Sequence, residues 1–367
     1  MKIIFLFGSL GSHQEHRVQD FIEQGYEVEV FAFKRRYTDM DISFRSVPVT
    51  LVGEIQQNAS YINRLPTLYR GISLVAKKFS NEHNVCFFYE GLMVAMIASL
   101  LIKHPYIYEE CDLVHLEIGN VVVQHLLDMV DKKVIQRSWR TIFTSEGFVE
   151  YHFGDNQPKN IILVPNKLPN SICSLPMPAH KDIDISHLDI AFVGVLRYES
   201  IHNFIKVFLT NFPNRHFHLF GLIGNDSFSD VINMPNFHNH GPFQNPDDLP
   251  SIYTSIDMLL CTYDARMGNV QWAEPNKLYE AIYFEKPIIV SKNTFLQRKV
   301  NKLGIGVAID AMNDDEIIDF IERITVYDLQ TMVNNIQKIN KASCITENYL
   351  PLSQESPFFE VPNLSSC

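Results

Sequence analysis

EPNKLYEAIYFEKPIIVS, Glu274 to Ser291, is the stretch from which the rest of the chain is best read. Pro275 has a fixed φ and no N–H, which suits a helix start and little else in a helix. A helix from Asn276 to Phe284 therefore follows, and PIIVS reads as a strand straight after it. Asn276, Lys277 and Glu280 fall on the first turn, where Lys277 and Glu280, three apart, are neighbours on one face. A glutamate there is either favourable dipole electrostatics or part of a grip on a ligand. The surroundings decide between the two.

Outward from this stretch, short apolar runs alternate with helix-like segments along the whole chain, the pattern of parallel α/β layers. In the first half the predicted strands are KIIFLF, EVEVFAF, NVCFFY, YIYEE, TIFTS and NIILVPN, with helices over 16–24, 65–80, 91–103 and 114–137. A second series has LDIAFVGV, HFHLFGLIG, FHNHG, IDMLLCTY and PIIVS, with helices over 201–210, 247–254, 276–284, 294–303 and 314–325. The expectation is two doubly wound Rossmann-like parallel-sheet domains facing across a cleft. Residues 1–170 form the first and 188–335 the second. LPMPAHKD marks 171–187 as the linker, and 336–367 is a terminal segment that packs back on the first domain.

The bulk numbers agree with two cores. The chain has 367 residues, too many for one ordinary core. A net charge of -11 argues against a nucleic-acid partner. Residues 1–170 hold 17 Lys+Arg against 19 Asp+Glu, so most of the negative charge lies in the second half. Basic pairs in the first half (Lys34 to Arg36, Lys77 and Lys78, Lys132 and Lys133) suit peripheral contact with an anionic membrane face better than the second half does. Scattered solvated charge is the plainer reading of the same residues. Six cysteines without CxxC spacing predict reduced thiols and a cytoplasmic setting. The apolar run in MKIIFLFGS is short for a leader and reads as a first strand; GLMVAMIASLLI is short for a membrane span.

In open parallel sheets ligands bind beyond the carboxyl ends of the strands. The first strand ends in GSLGSHQEHR, where Gly8 and Gly11 allow close backbone approach and the next helix offers N–H groups to an anion. A tight turn explains the same glycines. The second series opens with FVGVLRYES, so Gly194 and Arg197 stand at a strand end, and an arginine there suits bidentate phosphate contact. After IDMLLCTY, which ends at Tyr263, a dozen residues precede the helix, against a usual 2–6. That loop delivers Lys277 beside the helix N-terminus, where it suits a diphosphate. Glu280 one turn on suits a ribose diol.

These residues carry a resemblance. PNKLYEAIYFEKPIIVS, with FHNHGPFQNPDDLPSIYTSIDMLLCTY and KLGIGVAID, resembles the nucleotide-sugar domain of GT-B fold glycosyltransferases of the family 4 type. QDFIEQGYEVEVFAF, YEECDL and FTSEGFVEYH resemble the matching acceptor-domain passages. The resemblance implies retaining sugar transfer from a nucleotide-diphosphate sugar to a glycan or lipid-linked acceptor in surface-polysaccharide biosynthesis. It implies no cofactor and no metal. Arg197 and Lys277 would stabilise charge on the leaving diphosphate, with Gly8, Gly11, Gly194, Tyr263, Asn276 and Glu280 at the donor. Glu110, Asp112 or the donor phosphate would take the acceptor proton; Asp112 reads equally as a helix cap. Four positions depart from the pattern. Trp272 holds the place of the first acid of the E-x7-E pair, with Glu274 two positions later. Val195 follows Gly194, Cys111 precedes Asp112 where histidine is frequent, and Glu285 stands where glycine is usual.

Other classes compete. A sugar-nucleotide epimerase of the same fold shares the nucleotide grip and turns donor over without an acceptor. A non-catalytic nucleotide-sugar binder releases no product. A metal protein would use His216, His218, His238 and His240, whose alternate spacing puts each pair on one strand face. An NAD enzyme lacks its GxGxxG.

Overall fold

Parallel strands run through both halves of the chain in this computed structural model, which describes residues 1–35, 44, 47–56, 59–177 and 183–346. Among these, contacts divide the chain into two units, Met1–Val164 and Pro165–Thr346.

The first unit runs β1 (Lys2–Phe7), α1 (Ser12–Glu23), β2 (Glu27–Arg35), β3 (Val49–Ile55), α2 (Tyr61–Phe79), β4 (Val85–Glu90), α3 (Leu92–Leu101), β5 (Tyr106–Glu110), α4 (Val121–Arg137), β6 (Arg140–Phe143), α5 (Glu146–Phe153) and β7 (Ile161–Leu163). Its sheet has the order β3-β2-β1-β4-β5-β6-β7, every pair parallel. Helices cover both faces, so the central strands are apolar runs rather than alternating ones. Ile3 to Phe7 have no exposed surface. The chain order reverses between β1 and β4, which makes their carboxyl ends the switch point of this sheet.

The second unit runs β8 (Asp189–Leu196), α6 (Glu199–Asn211), β9 (His216–Ile223), β10 (Phe237–Gly241), α7 (Leu249–Thr254), β11 (Met258–Cys261), α8 (Gly268–Trp272), α9 (Asn276–Tyr283), β12 (Ile288–Ser291), α10 (Phe295–Leu303), β13 (Gly306–Ile309), α11 (Asp314–Arg323) and α12 (Val326–Gln337). The order β10-β9-β8-β11-β12-β13 is again all parallel, with its switch point between β8 and β11. The two-residue period of the strands divides the core in two. Ala191, Val193, Leu259, Cys261, Ile288 and Val290 pack on one face, and Ile190, Phe192, Met258, Leu260 and Ile289 on the other.

Two doubly wound Rossmann-like units are therefore what the alternation of runs predicts. Besides β13, which only the resemblance of KLGIGVAID implies, four elements were not anticipated: β3, α5, α8 and α12. The long loop before Asn276 contains α8, and α12 starts from a Thr325/Asp328 capping box that the sequence displays plainly. The single helix expected over 114–137 is two pieces, because Asn120 caps α4 through the N–H groups of Val122 and Val123. A 3-10 turn (Val114–Glu117) precedes that cap. Within the stretch expected to be linker, a 3-10 turn (Asn170–Ser174) seats Ile172 in the core of the second unit. The terminal segment expected to pack back on the first unit lies, from 347 on, outside the described residues. Among the described residues no helix is long and apolar enough to cross a membrane.

Candidate functional site

At the switch point of the second unit, Gly194 near the end of β8 has φ 146, a backbone region that side chains rarely adopt. Its register partner on β9 is Gly221, φ 142, where an added Cβ would lie 1.8 Å from the Gly194 carbonyl oxygen. The two glycines together let the strands close at this point. Beyond them Arg197 is exposed, stacks over the Tyr198 ring at 5.0 Å and donates to the Tyr198 hydroxyl at 2.9 Å. Tyr198 meets Tyr263 edge-on at 5.1 Å, and Tyr263 follows the end of β11. An aromatic bridge thus links the ends of β8 and β11.

Helix α9 comes next. Every side chain from Lys277 to Tyr283 is buried, while Asn276 at its mouth is exposed. Lys277 Nζ donates to both Glu280 oxygens, each at 2.7 Å, and the Tyr253 hydroxyl donates to Glu280 Oε2 at 2.6 Å. Glu280 is 1% exposed. Burial, reinforced by the Glu280 charge, pushes the Tyr253 hydroxyl well above its ordinary range, so it stays a donor. Cys261 at the end of β11 shares a core cluster with Tyr253, Leu278 and Tyr279, which puts the start of α9 next to the switch point.

Glu274 does not join this group. It is 3% exposed, held by Lys299 Nζ at 2.8 Å and by the Tyr279 hydroxyl. Trp272, in the place of the first acid, packs under Arg298. Glu285 has φ 58, the left-handed conformation that glycine adopts freely, and Lys341 and Gln337 bind its carboxylate. That explains why glycine would suit the position. The four histidines pair across the outer strands: His216 with His238 at 2.7 Å and His218 with His240 at 3.0 Å, with Asp189 on His218.

The first unit gathers a second polar group at its own switch point. Gly8 follows β1, and its carbonyl accepts from Arg35. Gly11 precedes α1 in extended backbone that any residue adopts, so its role there is space: an added Cβ would meet Gln14 Oε1 at 2.9 Å. Gln14 donates to Glu90 at the end of β4 at 2.7 Å. Arg17 donates twice to Glu109 on β5, at 2.6 and 3.0 Å, and His13 lies 3.4 Å from the same oxygen. The Cys111 thiol sits 3.6 Å from His13 and 3.7 Å from Glu90. Burial and then the Glu109 charge push Glu90 up to about 7. Burial acts in the same direction on Glu109, but Arg17 and His13 overcome it and hold that carboxyl at about 2.

Strand alternation separates Glu109 from Glu110. Glu109 faces α1; Glu110 faces α5, fully buried, with His152 at 3.0 Å. The interior position of Glu110 keeps it from the strand-end groups that include Glu90 and His13. Asp112 is exposed after β5, and the turn beyond it takes Leu113 as its N-cap position. His13, Arg17, Glu90, Glu109, Gly221 and Tyr253 were not singled out from sequence. The available signals were HQEHR at the start of α1 and an acid closing each of NVCFFYE and YIYEE.

No family model matches the chain, and no curated protein does. Solved structures do. Sucrose-phosphate synthase from Thermosynechococcus elongatus superposes with TM-score 0.67 at 14% identity, over 92% of this chain and 94% of that one. Anabaena HepE in complex with UDP gives 0.61 at 13%, over 94% and 97%. The lipopolysaccharide outer core galactosyltransferase WaaB gives 0.60 at 14%, over 92% and 95%. At this identity the likeness shows the fold, and the fold is that of two parallel-sheet Rossmann-like units of the GT-B type.

Proposed function

We propose that the chain is a nucleotide-sugar-dependent glycosyltransferase that moves a sugar, with retention, onto a glycan or lipid-linked acceptor in surface-polysaccharide biosynthesis. The observation that carries this reading is the Lys277–Glu280–Tyr253 group at the start of α9, beside the switch point of β8 and β11. A ribose diol needs a carboxylate acceptor, and Glu280 is one. Its oxygens are taken by Lys277, so a diol binding there displaces the ammonium. The ammonium is then free for the adjacent diphosphate. Nucleotide and phosphate recognition are coupled through one lysine. Arg197 and the N–H groups of α9 add positive potential where charge grows on the departing diphosphate. The family 4 type assignment rests on the PNKLYE element. UDP bound to HepE, which shares the fold, favours a nucleoside diphosphate as the common ligand.

A lipid-linked acceptor fits the outer face of α4. Val122, Leu126 and Met129 are exposed along one stripe that continues into Lys133 and Arg137. An apolar stripe ending in basic residues suits the surface of an anionic bilayer. The test is calorimetry with UDP and GDP on the wild type and on Glu280→Ala, followed by donor turnover with and without acceptor extracts. Binding that disappears in the variant supports the reading. A folded wild type that binds neither nucleotide overturns it, and turnover without acceptor points to an epimerase.

A further inference from the structure

Behind β5, on the face away from Arg17, a second polar cluster is closed inside the first unit. Glu110 comes from β5, Asp131 from α4 and His152 from α5, with 0%, 1% and 8% of their surface exposed. His152 Nε2 lies 3.0 Å from Glu110 Oε1 and 4.0 Å from Asp131 Oδ2. One ligand atom from each of the three falls within 4.8 Å of the others. His115, fully buried, places Nδ1 3.7 Å from Asp131 Oδ2. Asp128 stands 3.8 Å from His152 Nδ1, and its outer oxygen is held by Lys132 at 2.9 Å.

What sets the cluster apart is the number of polar atoms left over. Glu110 Oε2, Asp128 Oδ1, His115 Nδ1 and His152 Nδ1 are buried without a hydrogen-bond partner, and the buried Asp131 carboxylate interacts with the Tyr108 hydroxyl. No lysine or arginine among the described residues pairs with Glu110 or Asp131. Each unsatisfied buried polar group is destabilising, because it gives up its hydrogen bonds to water and gains none in return. Native interiors rarely leave such groups unanswered, and a concentration of them marks an ion or ordered water.

We propose that Glu110, Asp131 and His152 bind a divalent transition-metal ion that ties β5, α4 and α5 together. One imidazole with two carboxylates is a donor set for zinc or manganese rather than calcium. Ligand bonds of about 2.1 Å put neighbouring ligand atoms roughly 3–3.5 Å apart, and the separations here bracket that range. His115 and Asp128 stand behind Asp131 and His152, where partners that orient ligands belong. The role is structural: the ion answers the unpartnered carboxylate oxygens and fixes the C-terminal half of α4 on the sheet. This site is independent of the nucleotide grip on α9.

The experiment uses the full chain, stripped with chelator, equilibrated with zinc chloride alone, and gel-filtered before elemental analysis. The expected result is a single zinc retained per chain and a Tm raised by about 5 °C. Asp131→Asn, checked for folding by circular dichroism, is expected to lose both. The paired change His216→Ala with His238→Ala, on the half-buried histidine ladder of the second unit, keeps both. Should Asp131→Asn fail to fold, X-ray absorption on the zinc-loaded wild type still decides. A shell of oxygen with one or two imidazoles supports the site; an imidazole-only shell assigns the zinc to surface histidines and overturns it. Wild-type chain that retains no zinc also overturns it, leaving buried water as the partner of these atoms.

Discussion

Lys277 Nζ stands 2.7 Å from each oxygen of Glu280, and both side chains are buried. Removing one member of such a pair strands the other charge in the core, whereas removing both leaves a neutral, packable space. Lys277→Met is therefore expected to destabilise the second unit by about 3–5 kcal/mol, and the double change Lys277→Met, Glu280→Gln by far less. Urea unfolding followed by Trp272 fluorescence in a Trp139→Phe background reads this. A double variant that loses as much as the single would mean that the stranded Glu280 charge is not what destabilises it.

Glu90 predicts a pH dependence. Its ordinary value is 4.5 and burial lifts it to about 7. Between these values the folded chain keeps a proton that the unfolded chain has released, so this group makes stability fall as pH rises through the window. Glu90→Gln removes the ionisation. The variant is expected to match the wild type near pH 5 and to gain up to about 3 kcal/mol on it by pH 8. Parallel pH–stability curves would disprove the assignment.

Arg17 and Glu109 predict the opposite slope. Glu109 is held at about 2, so its contribution is complete above the ordinary 4.5 and is lost as pH falls from there through 2. Arg17→Met is expected to cost about 3–5 kcal/mol at pH 7, because the carboxylate stays buried with its main partner gone. Thermal melts should show the gap between variant and wild type narrowing steadily on acidification.

Gly221→Ala tests the closure of β8 on β9. A Cβ at 1.8 Å from the Gly194 oxygen cannot be relieved by rotating a side chain, and φ 142 adds strain of its own. A loss of at least about 3 kcal/mol is expected, together with weaker nucleotide binding as Arg197 is displaced. Ala at Gly25, where an added Cβ meets nothing within 4 Å, serves as the control for strain without a clash.

Legibility followed the physics of each signal. The fully buried strands announced themselves as apolar runs, and Pro275 fixed the start of α9 to the residue. β3 was missed because VTLVGEI is exposed or half-buried except at Ile55, so it lacks the apolar run of its neighbours. α5 is short, with little to separate it from the strand before it. Lys277 and Glu280 could be paired from sequence because they share one turn. Arg17 and Glu109 could not, since 92 positions separate them and only the reversal of strand order brings them together. Local chemistry also could not say that of two adjacent glutamates one faces α1 and the other the interior beside His152.

The enclosure of α9 bears on how sequences of this kind diverge. A helix on a surface can drift freely across its outer half, but this one has no outer half from Lys277 to Tyr283. Substitution is resisted at each of these positions by volume, by charge or by a hydroxyl partner. A chain tolerates change most at its surfaces, and a segment so confined is where tolerance should be lowest. A library of random substitutions in this chain would then be depleted most along these two enclosed turns.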